Sequence, residues 1–315
     1  MLVDDQYRKC VAFLFSDVLT TGAVAVRRPM GTAFLVAMPL DGDAGVVYAV
    51  TARHVIDGTR KYGNLTIRFN SDDGTFTDYH APHDDWTLSP TTDVAVAPLK
   101  VAENHDVIWL GPDLFLTAEV AAEIELGEGD NVFFVGLFSS HFGEKRSLPV
   151  VRFGNIALMP HEPLKVKIDP TPNALPKPID AYLVEARSWG GQSGSPAFAY
   201  FPTTRRMDTN FTFGPIPLLL GIVQGHYNIS QPVRLIGAPG EAHVDANAGM
   251  AIVIPAQDIL DTLNTKELVD ERERLLREHH ERNQDGVAVP DLVTPEEPDD
   301  RQGDVFIRDL RKASE

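Results

Sequence analysis

Between about residues 10 and 255 the chain is a succession of short runs of β-branched and aromatic residues, each cut off by Gly, Pro, Asp or Asn. The runs read GAVAVRR, GTAFLVAM, GVVYAVTA, LTIRF, DVAVAPL, NVFFVGLF, VRFGNIAL, AYLVEAR, PLLLGIVQG and MAIVIP, and no amphipathic helical repeat separates them. A parallel α/β sheet needs a crossover helix between strands, so this pattern points instead to an all-β sandwich or barrel. Closed barrels are the expectation, because closure removes the unpaired edges that invite aggregation. Residues 104–129, NHDVIWLGPDLFLTAEVAAEIELGEG, are the least strand-like part and are expected to connect two β halves.

Beyond the last run the pattern changes. Residues 256–283 are charged and helical, with Leu268 and Leu275, and Val269 and Leu276, each seven apart, a stripe expected to dock on the body. Residues 284–315 are rich in proline and acid, which predicts a flexible acidic tail; its end, VFIRDLRKASE, and the helix before it are where a regulatory partner would bind. With 315 residues and 43% hydrophobic composition the chain can bury a large core. A formal charge of −17 excludes nucleic acid and anionic membrane as default partners, since phosphates attract Lys and Arg. The single cysteine, Cys10, permits no intramolecular disulfide, the opening MLVDDQYRKCVAFLF lacks the features of a secretory signal, and no apolar run is long enough to span a bilayer. A cytoplasmic location is the expectation.

The stretch RSWGGQSGSPAF, residues 187–198, raises the chemical question. Gly190, Gly191 and Gly194 bracket Ser193, so a hydroxyl is presented beside bare backbone N–H groups. A serine hydroxyl becomes nucleophilic when a neighbouring base takes its proton, and the oxyanion formed needs donors already in place. Of ten histidines, His54 in YAVTARHVIDG stands at the end of an apolar strand, where a base is held at the rim of a core. In TTDVAVAPL, Asp93 opens a strand whose valines alternate, and His83, Asp84 and Asp85 compete with it as partners of the histidine.

Taken together, TARHV, DVAVAPL and GQSGSP in that order resemble the chymotrypsin/trypsin-like serine peptidases, with secondary matches in GTAFLV, GDNVFFVG, LLGIVQG and NAGMAIVIP. GSP also occurs among glutamyl-specific and HtrA-like members, although a PDZ-type domain is not expected here. The resemblance covers about residues 20–265. It implies a trypsin-like peptidase domain over 1–265, built of two six-stranded antiparallel β-barrels at about 10–115 and 125–255, with a C-terminal helix over 256–283 and the tail over 284–315. It also implies a catalytic triad of His54, Asp93 and Ser193, and an oxyanion hole from the N–H groups of Gly191 and Ser193, acting on a protein or peptide substrate without cofactor or metal.

Other hydrolase patterns fit less well. The G-x-S-x-G elbow fails because Ser195 stands two after Ser193, no H-E-x-x-H is present, and LGEGDNV lacks the last glycine of a dinucleotide loop. In digestive-type members an acidic residue precedes the nucleophile and pairs with a newly cut N-terminus; here it is Gln192, so activation of that kind is not expected. Arg187, six residues before Ser193, and Gln224, Gly225 and His226 are the candidate substrate-binding residues, and Arg187 with His226 suits an acidic side chain at the cleavage site. Two readings remain open: a serine endopeptidase, and a noncatalytic or latent binding or chaperone-like module that keeps the same fold.

Overall fold

The computed structural model describes residues 3–20, 24–40, 45–102, 104–166, 175, 177–186, 190–201, 205–206, 212–213, 217–234 and 241–284. The first part runs α1 (Gln6–Lys9), β1 (Val11–Leu19), β2 (Ala25–Pro39), β3 (Gly45–Ala52), α2 (Arg53–Thr59), β4 (Thr66–Asn70), β5 (Phe76–His80), β6 (Thr87–Leu88) and β7 (Val94–Leu99). The second runs α3 (Ala118–Glu123), β8 (Asn131–Gly136), β9 (Val150–Leu158), β10 (Leu164–Val166), β11 (Lys177–Ile179), β12 (Tyr182–Glu185) and β13 (Pro196–Tyr200). It continues through β14 (Arg205–Arg206), β15 (Thr212–Phe213), β16 (Leu218–Arg234) and β17 (Glu241–Pro255) to α4 (Ala256–Leu263) and α5 (Lys266–Gln284).

The chain is mostly β, as its sequence pattern predicts, but only one of the two expected barrels closes. The second part forms a closed six-stranded antiparallel barrel in the order β12-β17-β16-β13-β8-β9. The first part forms an open sheet of seven strands, β5-β4-β1-β2-β3-β7-β6. The strand at one edge explains why. β6 is two residues long, preceded by the one-turn helix His83–Asp85 and followed by Pro90, so it pairs with β7 at Thr87 and Leu88 and offers little backbone on its other side for β5 to join.

Period-two alternation accounts for the continuous apolar runs. In β1 the first six residues are all buried, although successive side chains point to opposite faces. Val11, Phe13 and Phe15 enter one cluster, with Phe34, Tyr48, Val50 and Val96 from neighbouring strands, while Ala12 and Leu14 enter another with Leu35, Ala49, Ile67 and Phe69. The second set fills the interior of the open sheet. The first set faces the barrel, whose Phe133, Phe198, Leu219, Ile222, Ile252 and Ile254 belong to the same cluster. Alternate barrel residues, among them Val132, Phe134, Ala197, Leu220 and Val253, fill the barrel itself. Both halves are therefore buried on two faces, which makes their strands near-continuous apolar segments.

Aromatic packing closes the shared core. Phe133 stacks on Phe198 with ring centroids 5.1 Å apart, and Tyr7 of α1 meets both rings edge-on at 5.5 and 5.0 Å. Cys10 is buried directly after α1, its thiol pushed up to about 12 by burial, which leaves it inert as a nucleophile. At the other end, one helix was expected over 256–283 and two are present, parted at Asn264 and Thr265. Arg272 of α5 reaches back to donate to the Leu263 carbonyl at 2.6 Å, satisfying an acceptor that the end of α4 leaves without a helical partner, and to the Asn264 side-chain Oδ1 at 3.1 Å. Ile259, Leu263 and Leu268 enter the shared core, and Leu275 packs against it. The tail expected over 284–315 lies outside the described residues after Gln284. No helix among the described residues is long and apolar enough to cross a membrane.

Candidate active site

The histidine and the aspartate are brought together by neighbouring strands. β3 and β7 pair antiparallel with Ala52 opposite Val94, so the residues just beyond that pair, Arg53 and Asp93, come together, and the Arg53 N–H donates to the Asp93 carbonyl at 3.2 Å. One residue further, α2 carries His54 over the Asp93 carboxylate. The His54 backbone N–H donates to Oδ1 at 2.8 Å and the ring Nδ1–H to Oδ2 at 2.6 Å. The Asp93 side chain is 2% exposed and that of His54 34%, so the carboxylate is shielded while the imidazole keeps an open side. Burial opposes protonation of the imidazole, but the charge of Asp93, its hydrogen bond and the charge of Asp57 outweigh burial and hold His54 above its ordinary value. Donation through Nδ1 fixes the tautomer and leaves Nε2 as the basic nitrogen.

The competitors His83, Asp84 and Asp85 do not take this place, and Asp85 is exposed. His83 hydrogen-bonds the Thr59 hydroxyl through Nε2 at 3.1 Å, and Asp84 is exposed beside Arg60. Asp57 and the Ser89 carbonyl hold Arg53 at the rim, with the Arg53 Nη1–H donating to Ser89 O at 2.6 Å.

Ser193 comes from the turn between β12 and β13. Gly194 has φ +88° and its N–H donates to the Val223 carbonyl at 2.8 Å; a Cβ there would lie 1.9 Å from the Thr32 carbonyl oxygen. Gly191 has φ +97°, again a conformation that L side chains resist. The Ser195 N–H donates to the Gln192 carbonyl at 3.0 Å, which curls the chain around Ser193. Ser195 itself is fully buried, its hydroxyl without a hydrogen-bond partner among the described residues. Ser193 is only half-buried and is the serine that a reactant can reach. Its hydroxyl donates to the Gln224 carbonyl at 2.8 Å and not to His54.

The two halves of the site meet at one seam. Gly31 packs between Val55, the neighbour of His54, and the carbonyl of Ser193; a Cβ on Gly31 would lie 2.9 Å from Val55 Cγ1 and 3.2 Å from that oxygen. Of the candidate substrate-binding residues, Gln224, Gly225 and His226 lie on β16. Gln224 bulges out of the ladder with β17, whereas Gly225 and His226 pair with Ile252 and Ala251. The pairing of β13 with β16 ends at Ile222, so among the described residues this stretch of β16 pairs with no strand on its β13 side and meets the Ser193 turn there at Gln224. Arg187 lies outside the described residues. Among the described residues no three His, Cys, Asp or Glu side chains converge to hold a metal ion.

No family model matches the chain, and no curated protein matches it. Among solved structures, the chain is similar to the inactive form of the Rv3671c protease at 18% identity, with 82% of this chain and 88% of that chain covered and a TM-score of 0.43. A second similarity is to a serine-to-alanine mutant of Rv3671c from M. tuberculosis H37Rv, also an inactive form, at 16% identity, 82% and 87% coverage and a TM-score of 0.41.

Sequence reasoning missed one residue of the candidate site and the part played by another. Thr32 binds the carbonyls of both Gly191 and Ser193 from across the seam. Gln224 was named as a candidate substrate-binding residue, but its carbonyl as acceptor of the Ser193 hydroxyl was unforeseen, because a main-chain acceptor leaves no mark on residue identity.

Proposed function

We propose that the chain is a trypsin-like serine endopeptidase that hydrolyses peptide bonds through an acyl-enzyme. The observation that carries this reading is the doubly hydrogen-bonded His54–Asp93 pair at the seam that also holds the Ser193 turn. In this reading Ser193 Oγ attacks the scissile carbonyl, His54 Nε2 takes its proton and returns it to the leaving amine, and Asp93 stabilises the imidazolium. The N–H groups of Gly191 and Ser193 bind the oxyanion. Water then enters by the same base and releases the acid. The open stretch of β16 at Gln224, Gly225 and His226 suits an extended peptide pairing as an added strand, and the peptide N–H would compete with Ser193 for the Gln224 carbonyl. His226 and Arg187 would favour an acidic side chain; a peptide library cleaved only after Lys, Arg or large apolar residues would remove that preference.

A second reading, a latent or noncatalytic module, is favoured by one observation: the Ser193 hydroxyl is bonded to Gln224 rather than to His54. Attack requires it to turn about its Cα–Cβ bond, a rotation of the ps–ns class for an unhindered side chain. Labelling with a fluorophosphonate, followed by intact mass on wild type, Ser193→Ala and Ser195→Ala, separates the two. Labelling lost only in Ser193→Ala supports the peptidase. A folded wild type that does not label supports the latent module.

A further inference from the structure

We propose that Thr32 is the positioning residue of the oxyanion loop, a residue of the open sheet that holds the two peptide planes flanking the one that carries the Ser193 N–H and anchors Gly191, from which the other N–H projects. The inference rests on the peptidase reading and adds to it a residue outside the His54, Asp93 and Ser193 set. Thr32, in β2, has no exposed surface and makes four hydrogen bonds. Its N–H donates to the Ser193 carbonyl at 2.9 Å and its hydroxyl to the Gly191 carbonyl at 2.9 Å. The hydroxyl oxygen accepts from the Leu137 N–H at 2.9 Å, and the Thr32 carbonyl accepts from the Thr51 hydroxyl at 2.6 Å.

The proton on that hydroxyl has one place to go. An amide N–H can only donate and a carbonyl can only accept, so Leu137 takes a lone pair of Oγ1 and the hydroxyl proton points at Gly191. Peptide planarity then transmits the constraint. Holding the Gly191 carbonyl fixes the plane that Gly191 shares with Gln192, and holding the Ser193 carbonyl fixes the plane it shares with Gly194, whose N–H is itself bonded to Val223. Between them, the Gln192 carbonyl is held by the Ser195 N–H, which fixes the direction of the Ser193 N–H on the opposite side of that plane. Three consecutive carbonyls are therefore pinned, two of them by Thr32. The Gly191 N–H lies in the plane that Gly190 shares with Gly191, one φ rotation from the plane that Thr32 holds, and a glycine at positive φ swings there easily if its carbonyl is released.

The chemistry needs this rigidity because donors that must reorient during the reaction lose most of their worth. A valine at 32 keeps the shape and removes the hydroxyl, leaving Gly191 O and Leu137 N–H without that partner.

The test compares wild type with Thr32→Val, Thr32→Ala and Thr32→Ser, using p-nitrophenyl acetate in pre-steady-state mode and a fluorophosphonate as probes, with Ser193→Ala as the control for attack at Ser193. The burst amplitude counts folded active sites; the burst rate constant reports how well each site works. Thr32→Val should slow the rate constant per site about ten- to a hundredfold with KM within about twofold, short of the loss of an oxyanion donor outright, and phosphonylation should slow in parallel. Thr32→Ala gives the same reading if the valine variant does not fold. Thr32→Ser, which restores the hydroxyl, should recover to within about threefold of wild type. A merely structural role would lower the amplitude and leave the rate constant unchanged. A reactive wild type whose valine or alanine variant keeps the wild-type rate constant overturns this inference alone, as does a serine variant as slow as alanine. A wild type with neither burst nor labelling overturns the peptidase reading and this inference with it.

Discussion

The open sheet and the closed barrel contribute to the candidate site in different ways. The sheet supplies His54 and Asp93 from the ends of two strands paired in register, so their geometry follows from one ladder step between β3 and β7. The barrel supplies Ser193 from a turn that belongs to no strand or helix, and the turn keeps its shape through bonds to Thr32 across the seam as well as to its own strand β16. Half of the site is thus built by local secondary structure and half by contact between the two sheets. Loss of a reacting side chain from either half should disturb chemistry alone, whereas a defect in the backbone bracing of the second half should disturb chemistry and folding together.

The largest effects belong to the three proposed reacting side chains, two from the local half and one from the braced half. His54→Ala and Ser193→Ala should each lower ester hydrolysis by about 10⁴-fold or more while leaving the melting temperature nearly unchanged, since neither side chain is a core element. Asp93→Asn should cost about 10³- to 10⁴-fold, because an amide stabilises neither the needed tautomer nor the imidazolium. The pH profile checks the same pair. Only neutral His54 is a base, and its value is raised, so acylation should fall as pH drops through a limb lying above about 6.5. In Asp93→Asn that limb should move down. The linked stability runs the other way: the His54–Asp93 pair contributes fully below about pH 6.5 and its contribution fades as pH rises through the folded value. A limb that does not move in Asp93→Asn would show that the strand-built pair is not the acting one.

The braced half is tested by its glycines. Gly194→Ala places a Cβ 1.9 Å from Thr32 O and 2.4 Å from Thr51 Oγ1 at φ +88°, and should cost about 3 kcal/mol of stability or more by urea denaturation, with activity lost as well. Gly191→Ala meets Leu137 side-chain carbons at 3.0 Å at a similar φ, contacts a flexible side chain can relieve, and should cost about 1–2 kcal/mol. If the two cost the same, the seam is not what holds the turn.

This contrast also separates what was legible in the sequence from what was not. Short apolar runs disclosed the strands, and the end of GVVYAVTA and the start of DVAVAPL disclosed that His54 and Asp93 stand at strand ends, because where a strand stops is a local signal. The glycines around Ser193 disclosed a turn with bare N–H groups. Closure of the first barrel was misread because the pattern counts strands without weighing length, and β6, a two-residue strand, is too short to close a ring. Thr32 was passed over because its partners are some 105 and 159 residues away, and a threonine inside GTAFLV looks like any β-branched strand residue. Which carbonyl receives the Ser193 proton has no sequence signal at all.

The smallest effect asks whether the two halves unfold as one. Helix α4 straddles them, with Ala256, Ile259 and Leu263 in the shared core. In its first turn the Asp258 carboxyl is pushed up to about 6 by burial and by the charges of Asp261 and Asp180. A carboxyl raised above its unfolded value favours the folded state only while protonated, so its charge is a penalty that is absent below about pH 4, grows as pH rises, and is fully present above about pH 6. Because the group keeps partial contact with solvent, the penalty at neutral pH is on the order of 1 kcal/mol. Asp258→Asn should therefore stabilise the protein by about that amount at pH 7.5 and leave it unchanged at pH 4, read from paired thermal melts. With a core shared by both sheets, the whole transition should move as one. A split melt in which only part of the signal shifts would show that the barrel can unfold without the sheet, and the seam that aims the Ser193 turn would then be the weakest contact in the molecule.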